Sequence, residues 1–348
     1  MNQKSNYFFS VIVPSYNRRD EIQALLASLQ AQIFPKFQFE VIVVDDGSTD
    51  GTVDWIDANR KSTGLNLNIL KQDHQGPGAA RNLGMSKANG RYFVFIDSDC
   101  TAPPDWLDRI HDVLQADPSI MGFGGRDDAR MDFPPLLKAI NYSMTSFLTT
   151  GGLRGGRKKR LAKFYPRSFN MGIHRDLAQK IGGFGSLRHG QDIEFSHRMI
   201  RSGEKIEHIP DSVVYHKRRT SLIRFFRQVF NWGVARINLF KLDSKMLEPL
   251  HAAPALAFWL AVLISLVALL WRPFRAIWLL VFLIVLSALL FSAIHAAIKW
   301  RNIRTGLLTP LVMILQISGY ALGFSISLIW RVILGQEEWT GFVKKYYK

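Results

Sequence analysis

The chain has 348 residues, a formal net charge of +16 and 48% hydrophobic residues, which allows one large domain or two ordinary ones. The charge is uneven, because residues 1–150 carry 14 Lys and Arg against 18 Asp and Glu, whereas residues 151–230 carry 18 against 6. The single cysteine, Cys100, excludes an intramolecular disulfide and is typical of a reducing compartment.

Three uncharged stretches near the C-terminus are long enough to cross a bilayer as helices, and they predict spans at 250–271, 276–298 and 307–330. Buried helices of soluble domains normally keep a polar face, so these stretches favour a membrane. The third uncharged stretch, Thr305–Trp330, contains Gly306, Pro310 and Gln316, which are equally typical of a broken or re-entrant helix. The basic block lies directly before the spans and favours anionic lipid, not nucleic acid, as its partner.

The apolar run Tyr7–Val13 is too short for a secretory signal and continues into a strand-and-turn pattern. We therefore expect the part before Pro249 to remain in the cytoplasm, and the chain to be a multi-pass protein of the inner (cytoplasmic) membrane.

Short apolar strands alternate with amphipathic helices in the first hundred residues. The predicted strands are 8–13, 39–44, 67–71 and 92–96. This alternation predicts an α/β fold with a mostly parallel sheet, whose ligands bind at the carboxyl ends of the strands. Polar clusters follow three of these strands, at Pro14–Asn17, Asp45–Asp50 and Asp97–Asp99. No G-x-G-x-x-G or G-x-x-x-x-G-K-[ST] motif is present, which argues against dinucleotide and P-loop sites.

Asp97 and Asp99 follow the strand that ends at Ile96. In an extended backbone alternate side chains point the same way, so both carboxylates could reach one point beyond the strand. Two carboxylates at such a position suit Mg²⁺ or Mn²⁺ carrying substrate phosphates. The alternative is a solvated turn, because Asp and Ser are turn formers.

Several ordered motifs resemble the family 2 glycosyltransferases of the GT-A fold, over about residues 8–220. The motifs are Val13–Arg18, Val44–Asp50, Gly78–Gly84, Phe95–Asp99, Asn170–Gly172, Gly182–Phe184 and Gly190–Glu194. The resemblance implies a membrane-anchored, bacterial-type inverting enzyme that uses a nucleotide-sugar donor, UDP- or GDP-linked, and Mn²⁺ or Mg²⁺.

The resemblance to this family also implies roles for individual residues. Donor-binding roles are implied for Pro14, Tyr16, Asp46, Arg81 and Asp97, and a metal-binding role for Asp99. For Arg81, a structural ion pair is an equal alternative, and Asp45 and Asp50 are better explained as cap and turn residues.

Two later residues complete the predicted site. Related enzymes usually carry Glu-Asp where this chain has Gln191 and Asp192, and the Asp acts as general base; we assign Asp192 to deprotonating the acceptor hydroxyl. The alternative for Asp192 is a carboxylate favoured by a helix N-terminus. His216 corresponds to a position that often supplies a further metal ligand, and its alternative is an interfacial histidine beside Lys217.

The remaining segments define the predicted organisation. The domains are a GT-A domain at 1–220, an amphipathic interfacial helix and linker at 221–248, spans within 249–334 and a tail at 335–348. The glycine-rich basic loop 151–160 is a connector or a lid.

The number of spans decides on which side of the membrane the basic tail lies. Three spans place the tail outside, against the positive-inside tendency, whereas two spans and a re-entrant segment return it inside. We favour three spans.

These observations predict transfer of a sugar to a lipid-linked or membrane-proximal acceptor hydroxyl. A polyprenyl-phosphate sugar synthase is the nearest alternative, since a phosphate acceptor needs no general base. Processive polysaccharide synthesis is disfavoured, because no Q-x-x-R-W motif follows Asp192. A membrane-tethered, non-catalytic nucleotide-binding scaffold is the alternative from another class.

Overall fold

The computed structural model describes residues 7–150, 164–217 and 221–343. Up to residue 128 the elements are β1 (Tyr7–Ser15), α1 (Arg19–Gln30), β2 (Phe39–Asp45), α2 (Thr52–Asn59), β3 (Leu67–Lys71), α3 (Pro77–Lys87), β4 (Gly90–Phe95), β5 (Cys100–Thr101), α4 (Trp106–Ala116) and β6 (Ile120–Asp128). Then follow α5 (Pro135–Thr145), α6 (Phe147–Thr150), β7 (Met171–His174), α7 (Arg175–Ile181), α8 (Gln191–Arg201) and β8 (Lys205–His216). The last helices are α9 (Leu222–Leu242), α10 (Pro249–Leu270), α11 (Arg275–Trp300) and α12 (Ile303–Leu328).

The described chain divides into two compact units. The first contains residues 7–128 and 164–217, and the second contains 129–150 and 221–343. The sequence predicted a catalytic domain running to residue 220, yet α5 and α6 belong to the helical unit. The glycine-rich loop 151–160 lies outside the described residues.

The first unit is an α/β fold built on one sheet, as the sequence predicted. The strand order is β3-β2-β1-β4-β7-β6-β8-β5. The β3, β2, β1 and β4 strands are parallel, while β7 runs antiparallel to both β4 and β6. In β1, Val11 and Val13 face one core with α1 and α4, whereas Ile12 faces the other with α7 and α8. Both faces of β1 are therefore buried, which explains its continuous apolar sequence.

The strand order brings several chain segments to one edge of the sheet. Ser15 is the register partner of Asp45, so β1 and β2 end together. Met171 pairs with Phe95 in antiparallel register, so the residues that enter β7 lie where β4 ends. Asp128 pairs with Tyr215, and His216 pairs with Cys100, which brings the end of β8 to the segment after β4.

The second unit is helical. Helices α10, α11 and α12, the last with the π-helical turn Ile329–Ile333, are long and apolar enough to cross a membrane by length and composition. The third is continuous through Pro310, without the break that its composition allowed. The predicted amphipathic helix is α9, and its buried face packs against α5 and α12 through residues such as Phe225, Val229 and Val312.

Candidate active site

The carboxylate of Asp46 shapes the loop that follows β3. Its Oδ1 accepts hydrogen bonds from the Gln75 N–H at 2.8 Å and from Gln72 Nε2 at 2.7 Å, and its Oδ2 accepts from the Gly76 N–H at 2.8 Å. His74 Nδ1 lies 2.9 Å from the same Oδ2. Asp46 therefore fixes the segment that leads into α3, a role that the sequence did not indicate.

Asp45 differs from Asp46 in the hydrogen bonding of its two carboxylate oxygens. Its Oδ2 accepts from the Ser48 N–H at 2.9 Å, the turn role that we expected. Its Oδ1 is buried and lacks a hydrogen-bond partner in the described part of the chain, as does the Oγ of Ser15, its register partner. Because an unsatisfied buried carboxylate oxygen is costly, this pair of atoms is suited to a ligand N–H.

The loops after β1 and β2 are joined by hydrogen bonds. Asn17 Oδ1 accepts from the Thr49 N–H at 2.8 Å, and the Asn17 N–H donates to Ser48 Oγ at 2.9 Å. Asn17 has a φ of 52°, a left-handed conformation that Asn tolerates better than most residues. Tyr16 is 43% exposed and stacks on His74 with ring centroids 4.1 Å apart. Pro14 lies in β1 beside Val44. Pro14 and Tyr16, the two residues of this segment that we predicted to bind the nucleoside, are therefore at the carboxyl end of β1.

Arg81 and Asp97 form an ion pair. Arg81 Nη2 lies 2.5 Å from Asp97 Oδ1, and the guanidinium also lies over the Phe184 ring. Arg81 is only 5% exposed, and its Nε has no hydrogen-bond partner among the described residues. Arg81 thus forms the structural ion pair that was the alternative to donor binding, and its Nε–H remains without an acceptor among the described residues.

The two acids of the Asp97–Asp99 motif have separate partners. The Cys100 N–H donates to the Asp97 carbonyl at 3.0 Å, which closes a turn directly after the end of the strand. The extended backbone that we assumed for this pair is therefore wrong, because β4 ends at Phe95 and the Asp-Ser turn begins two residues later. Asp97 faces Arg81, and Asp99 contacts His216.

Asp99 and His216 form the best candidate metal centre in the described residues. His216 Nε2 lies 3.1 Å from Asp99 Oδ1, and His216 Nδ1 lies 3.6 Å from Asp127 Oδ2. Ligand atoms of Asp99, Cys100 and His216 all lie within 4.8 Å of one another. Adjacent ligands of an octahedral ion with bonds of about 2.1 Å are roughly 3 Å apart, so the Asp99–His216 separation fits such an ion. The carboxylate–imidazole donor set suits Mn²⁺.

The end of β8 is held beside this pair. The Lys217 N–H donates to the Asp99 carbonyl at 2.9 Å, and Lys217 Nζ donates to Glu21 Oε1 of α1 at 3.1 Å. Burial opposes ionisation of Glu21, but the Lys217 hydrogen bond and charge outweigh it and lower the pKa of this carboxyl. The ion pair therefore anchors the residue next to His216.

Asp192 lies in the first turn of α8 and is paired with a cation. Arg167 Nε lies 2.7 Å from Asp192 Oδ2, off the direction of its N–H, so the contact is an ion pair without a well-aligned hydrogen bond. The neighbouring Gln191 donates to the Gly185 carbonyl at 3.1 Å, and its amide lies directly against Gly78 of α3. Glu194 pairs with Arg198, the structural role that we expected for it.

Consecutive contacts connect these residues around the edge of the sheet. The circuit runs through Asp46 and Gly76, Arg81 and Asp97, Asp99 and His216, His216 and Phe169, Arg167 and Asp192, and Gln191 and Gly78. It begins at Gly76, the residue before α3, and returns to Gly78 in α3, so the Asp192–Arg167 pair and the Asp99–His216 pair lie on one continuous ring of contacts. This site offers buried acceptors, a cation-ligand pair and a carboxylate in the first turn of a helix.

Sequence reasoning missed the contacts of Asp127 and Arg167, and it considered Asp45 only as a cap or turn residue. The Val44–Asp50 motif draws attention to both Asp45 and Asp46. Which of the two carboxylates faces the loop after β3 depends on the strand register, which the motif does not give. Asp127 and Arg167 have no local signal, because each is defined only by a partner on another element.

The fold and this edge define a GT-A glycosyltransferase. The sequence matches the family model "Glycosyl transferase family 2" over residues 10–182. Glycosyltransferase AglE of Haloferax volcanii is 30% identical over 73% of this chain and 80% of that protein. The dolichyl N-acetyl-alpha-D-glucosaminyl phosphate 3-beta-D-2,3-diacetamido-2,3-dideoxy-beta-D-glucuronosyltransferase of Methanococcus voltae is 25% identical over 66% of this chain and 73% of its own length.

A solved structure shares the fold. Mannosyltransferase PcManGT of Pyrobaculum calidifontis, in complex with GDP-Man and Mn²⁺, superposes with a TM-score of 0.61 at 21% identity, covering 93% of this chain and 88% of that one. The chain belongs to glycosyl transferase family 2 and is a nucleotide-sugar-dependent glycosyltransferase.

Proposed function

We propose that this enzyme transfers a sugar, with inversion, from a nucleotide-sugar to a hydroxyl of a lipid-linked or membrane-proximal acceptor. The observation that carries the proposal is the circuit that joins the Asp192–Arg167 pair to the Asp99–His216 pair at one edge of the sheet. A group-transfer enzyme needs these two functions, deprotonation of the nucleophile and stabilisation of the leaving group, close together.

The donor nucleoside binds where β1 and β2 end. Asp45 Oδ1 is the acceptor for a base N–H, and Asp46 acts by fixing the loop at 72–76. Pro14 and Tyr16 line this end, with the exposed Tyr16 ring available to stack on the base. Arg81 directs its unused Nε towards the donor diphosphate, while Asp97 holds its guanidinium in place.

Asp99 and His216 hold a divalent cation, Mn²⁺ or Mg²⁺. When bound, such an ion offsets the negative charge that develops on the departing diphosphate. The 3.1 Å separation of the two ligand atoms supports this assignment, and the fold relative solved with GDP-Man and Mn²⁺ is consistent with it. Asp127, close to the other ring nitrogen, orients the His216 imidazole.

Asp192 accepts the proton of the attacking hydroxyl. Arg167 fixes the position of one of its oxygens, and the Ile193 N–H donates to the other at 3.0 Å. The name of the Methanococcus voltae relative describes transfer to position 3 of a sugar on a lipid phosphate, which favours a hydroxyl acceptor over a phosphate. The apolar helices α10 and α11 support association with a membrane, and our proposal is that this is the inner membrane, with the catalytic unit in the cytoplasm.

The test measures turnover of UDP- and GDP-linked sugars with Mn²⁺, using lipid-linked sugars and polyprenyl phosphate as acceptors. For a hydroxyl acceptor, Asp192→Asn lowers kcat by about 10²–10⁴-fold, because a general base contributes that much. Asp176→Asn is the matched control, since Asp176 occupies the same position in the first turn of α7 and is 75% exposed. Near-normal turnover of Asp192→Asn with polyprenyl phosphate would instead support the phosphate-acceptor alternative.

A further inference from the structure

Helices α10 and α11 form a hairpin with its contacts at the turn between them. Trp278 Nε1 donates to Ser265 Oγ at 3.1 Å, and Arg275 Nε donates to the Ala268 carbonyl at 3.2 Å. Only 11% and 6% of the residues in their most apolar stretches are buried within the protein, against 44% for α12. With 22 and 26 residues, α10 and α11 are each long enough to cross the hydrocarbon layer, which takes about 20.

Helix α12 lies across the ends of these helices that are far from the turn. Near its start, Gly306 packs on Ala293 and Ala297, in the last turns of α11. Further along, the Tyr320 hydroxyl donates to the His251 carbonyl at 2.8 Å, in the first turn of α10. One half of α12 thus contacts the last turns of α11, and the other half contacts the first half of α10, where Trp259 Nε1 donates to Ser325 Oγ at 2.8 Å. A third span would instead continue beside one of these helices as far as the turn between them.

Helix α9 runs alongside α12 in the same direction. Val229 meets Gly319, Phe230 meets Gly323, and Asn238 Oδ1 accepts from Arg331 Nη1 at 2.9 Å. The two helices therefore lie side by side along most of their length. With Arg224, Arg227, Arg236 and Lys241, α9 is too charged to be a span of its own.

The chain after α12 returns to α9. Asn238 Nδ2 donates to the Trp339 carbonyl at 3.0 Å, and the Phe342 N–H donates to Asn231 Oδ1 at 3.1 Å. Residues 339–342 are thus on the same side of the bilayer as α9, which precedes the first span.

We propose that only α10 and α11 cross the bilayer, and that α9 and α12 form a platform seated in the leaflet on the side of α9. Its partner is the lipid of that leaflet. Acyl chains contact the exposed apolar face of α12, made of Ile303, Leu307, Leu311, Ile314, Ile326 and Ile329.

The charges agree with this arrangement. No Asp or Glu occurs between Glu248 and Glu337, so the basic residues of this region are available to anionic headgroups. With two spans, the basic residues at the junction of α11 and α12 (Lys299, Arg301 and Arg304) lie on the same side as Arg331 after α12, which satisfies the positive-inside tendency that three spans violate.

The first test is labelling with a membrane-impermeant maleimide, applied separately to inside-out and right-side-out vesicles containing the full chain. Single cysteines are introduced as Trp271→Cys, Arg301→Cys and Gln336→Cys, and the wild type with its buried Cys100 is the blank. We expect Arg301→Cys and Gln336→Cys to react from one side and Trp271→Cys from the other. Reaction of Gln336→Cys from the side of Trp271→Cys would overturn the proposal.

A second measurement probes α12 itself and not the loops that were labelled in the first test. Bimane is attached at Ile303→Cys, Ile314→Cys and Ile329→Cys, and its quenching by brominated phosphatidylcholines reports the depth of each position. For a platform in one leaflet, lipid brominated near the glycerol end quenches all three most strongly. Strongest quenching of Ile314→Cys by lipid brominated near the acyl methyl end means a crossing helix and contradicts the proposal.

Discussion

The Asp99–His216 pair is the residue-scale feature with the most direct consequence. We predict that Asp99→Ala and His216→Ala each lower kcat by at least about 100-fold, because the charge of the leaving diphosphate loses its compensation. Weaker Mn²⁺ binding, measured by electron paramagnetic resonance on the purified protein, accompanies the loss. Asp105→Asn, which removes the partner of Arg109 on α4, is the control and leaves both properties unchanged. Full activity of Asp99→Ala would contradict the metal site.

Asp45 and Asp46 are neighbours in sequence with separable roles. We predict that Asp45→Asn raises the KM for the donor about 10–100-fold, because the Asn oxygen can still accept from Ser48 while its amide cannot accept a base N–H. Asp46→Asn instead lowers the thermal midpoint, since the new NH2 replaces the oxygen that accepts from either the Gln75 or the Gly76 N–H and cannot accept that hydrogen bond. Donor kinetics and thermal denaturation of both variants check this; the reverse pattern would return base recognition to Asp46.

Asp50 gives a pH-dependent prediction. Burial opposes its ionisation, but hydrogen bonds from the Thr52 hydroxyl and from the Arg19 and Thr52 N–H groups outweigh burial and lower the pKa of Asp50 below its ordinary 3.8. A carboxyl group with a lowered folded-state pKa stabilises the fold above its unfolded-state pKa, and this contribution disappears as pH falls through the folded-state value.

We therefore expect Asp50→Asn to have a lower thermal midpoint than wild type at pH 7, with the difference vanishing as pH falls below 3.8. Asp54→Asn is the control for charge in the first turn of α2, and its effect at pH 7 is smaller because Asp54 is exposed. A difference for Asp50→Asn that persists in acid would contradict the hydrogen-bonding explanation.

At the scale of elements, the α9–α12 contact depends on three glycines. A Cβ at Gly323 would collide with the Phe230 carbonyl, one at Gly233 with the Tyr320 carbonyl, and one at Gly319 would lie 2.7 Å from Val229 Cγ2. Gly319 and Gly323 form a G-x-x-x-G pair, the spacing that allows close approach of helix backbones in membranes.

We predict that Gly323→Ala destabilises the helical unit by about 1–3 kcal/mol, the usual cost of overpacking a close contact. The measurement is the thermal midpoint of the detergent-solubilised protein, followed by circular dichroism. Ile326→Ala, on the lipid-exposed face three residues further along α12, removes more volume and leaves the midpoint nearly unchanged. Equal effects of the two variants would show that the glycine contact is not decisive.

Much of the architecture was predictable, because it depends on local patterns. β3 has the predicted bounds, and the alternation of strands and helices correctly indicates the α/β sheet and its binding edge. Long-range pairing was not predictable. α5 joins the helical unit through Ser143, whose hydroxyl donates to Gln316 at 2.7 Å across 173 residues of sequence. Likewise, Arg167 pairs with Asp192 of α8, a contact between separate segments that no local sequence pattern indicates.

At the scale of the whole molecule, the two units have separate cores, one built on the sheet and one on the helices. Multidomain proteins often unfold in more than one step, so calorimetry in detergent should resolve two transitions. If a nucleoside diphosphate with Mn²⁺ binds the first unit as proposed, then at 100 times its Kd it contributes about 2.7 kcal/mol to the stability of that unit alone. We predict that it raises one transition, whereas Gly323→Ala lowers the other. A single transition that responds to both changes would mean that the units unfold together, and that nucleotide binding stabilises the membrane unit as well.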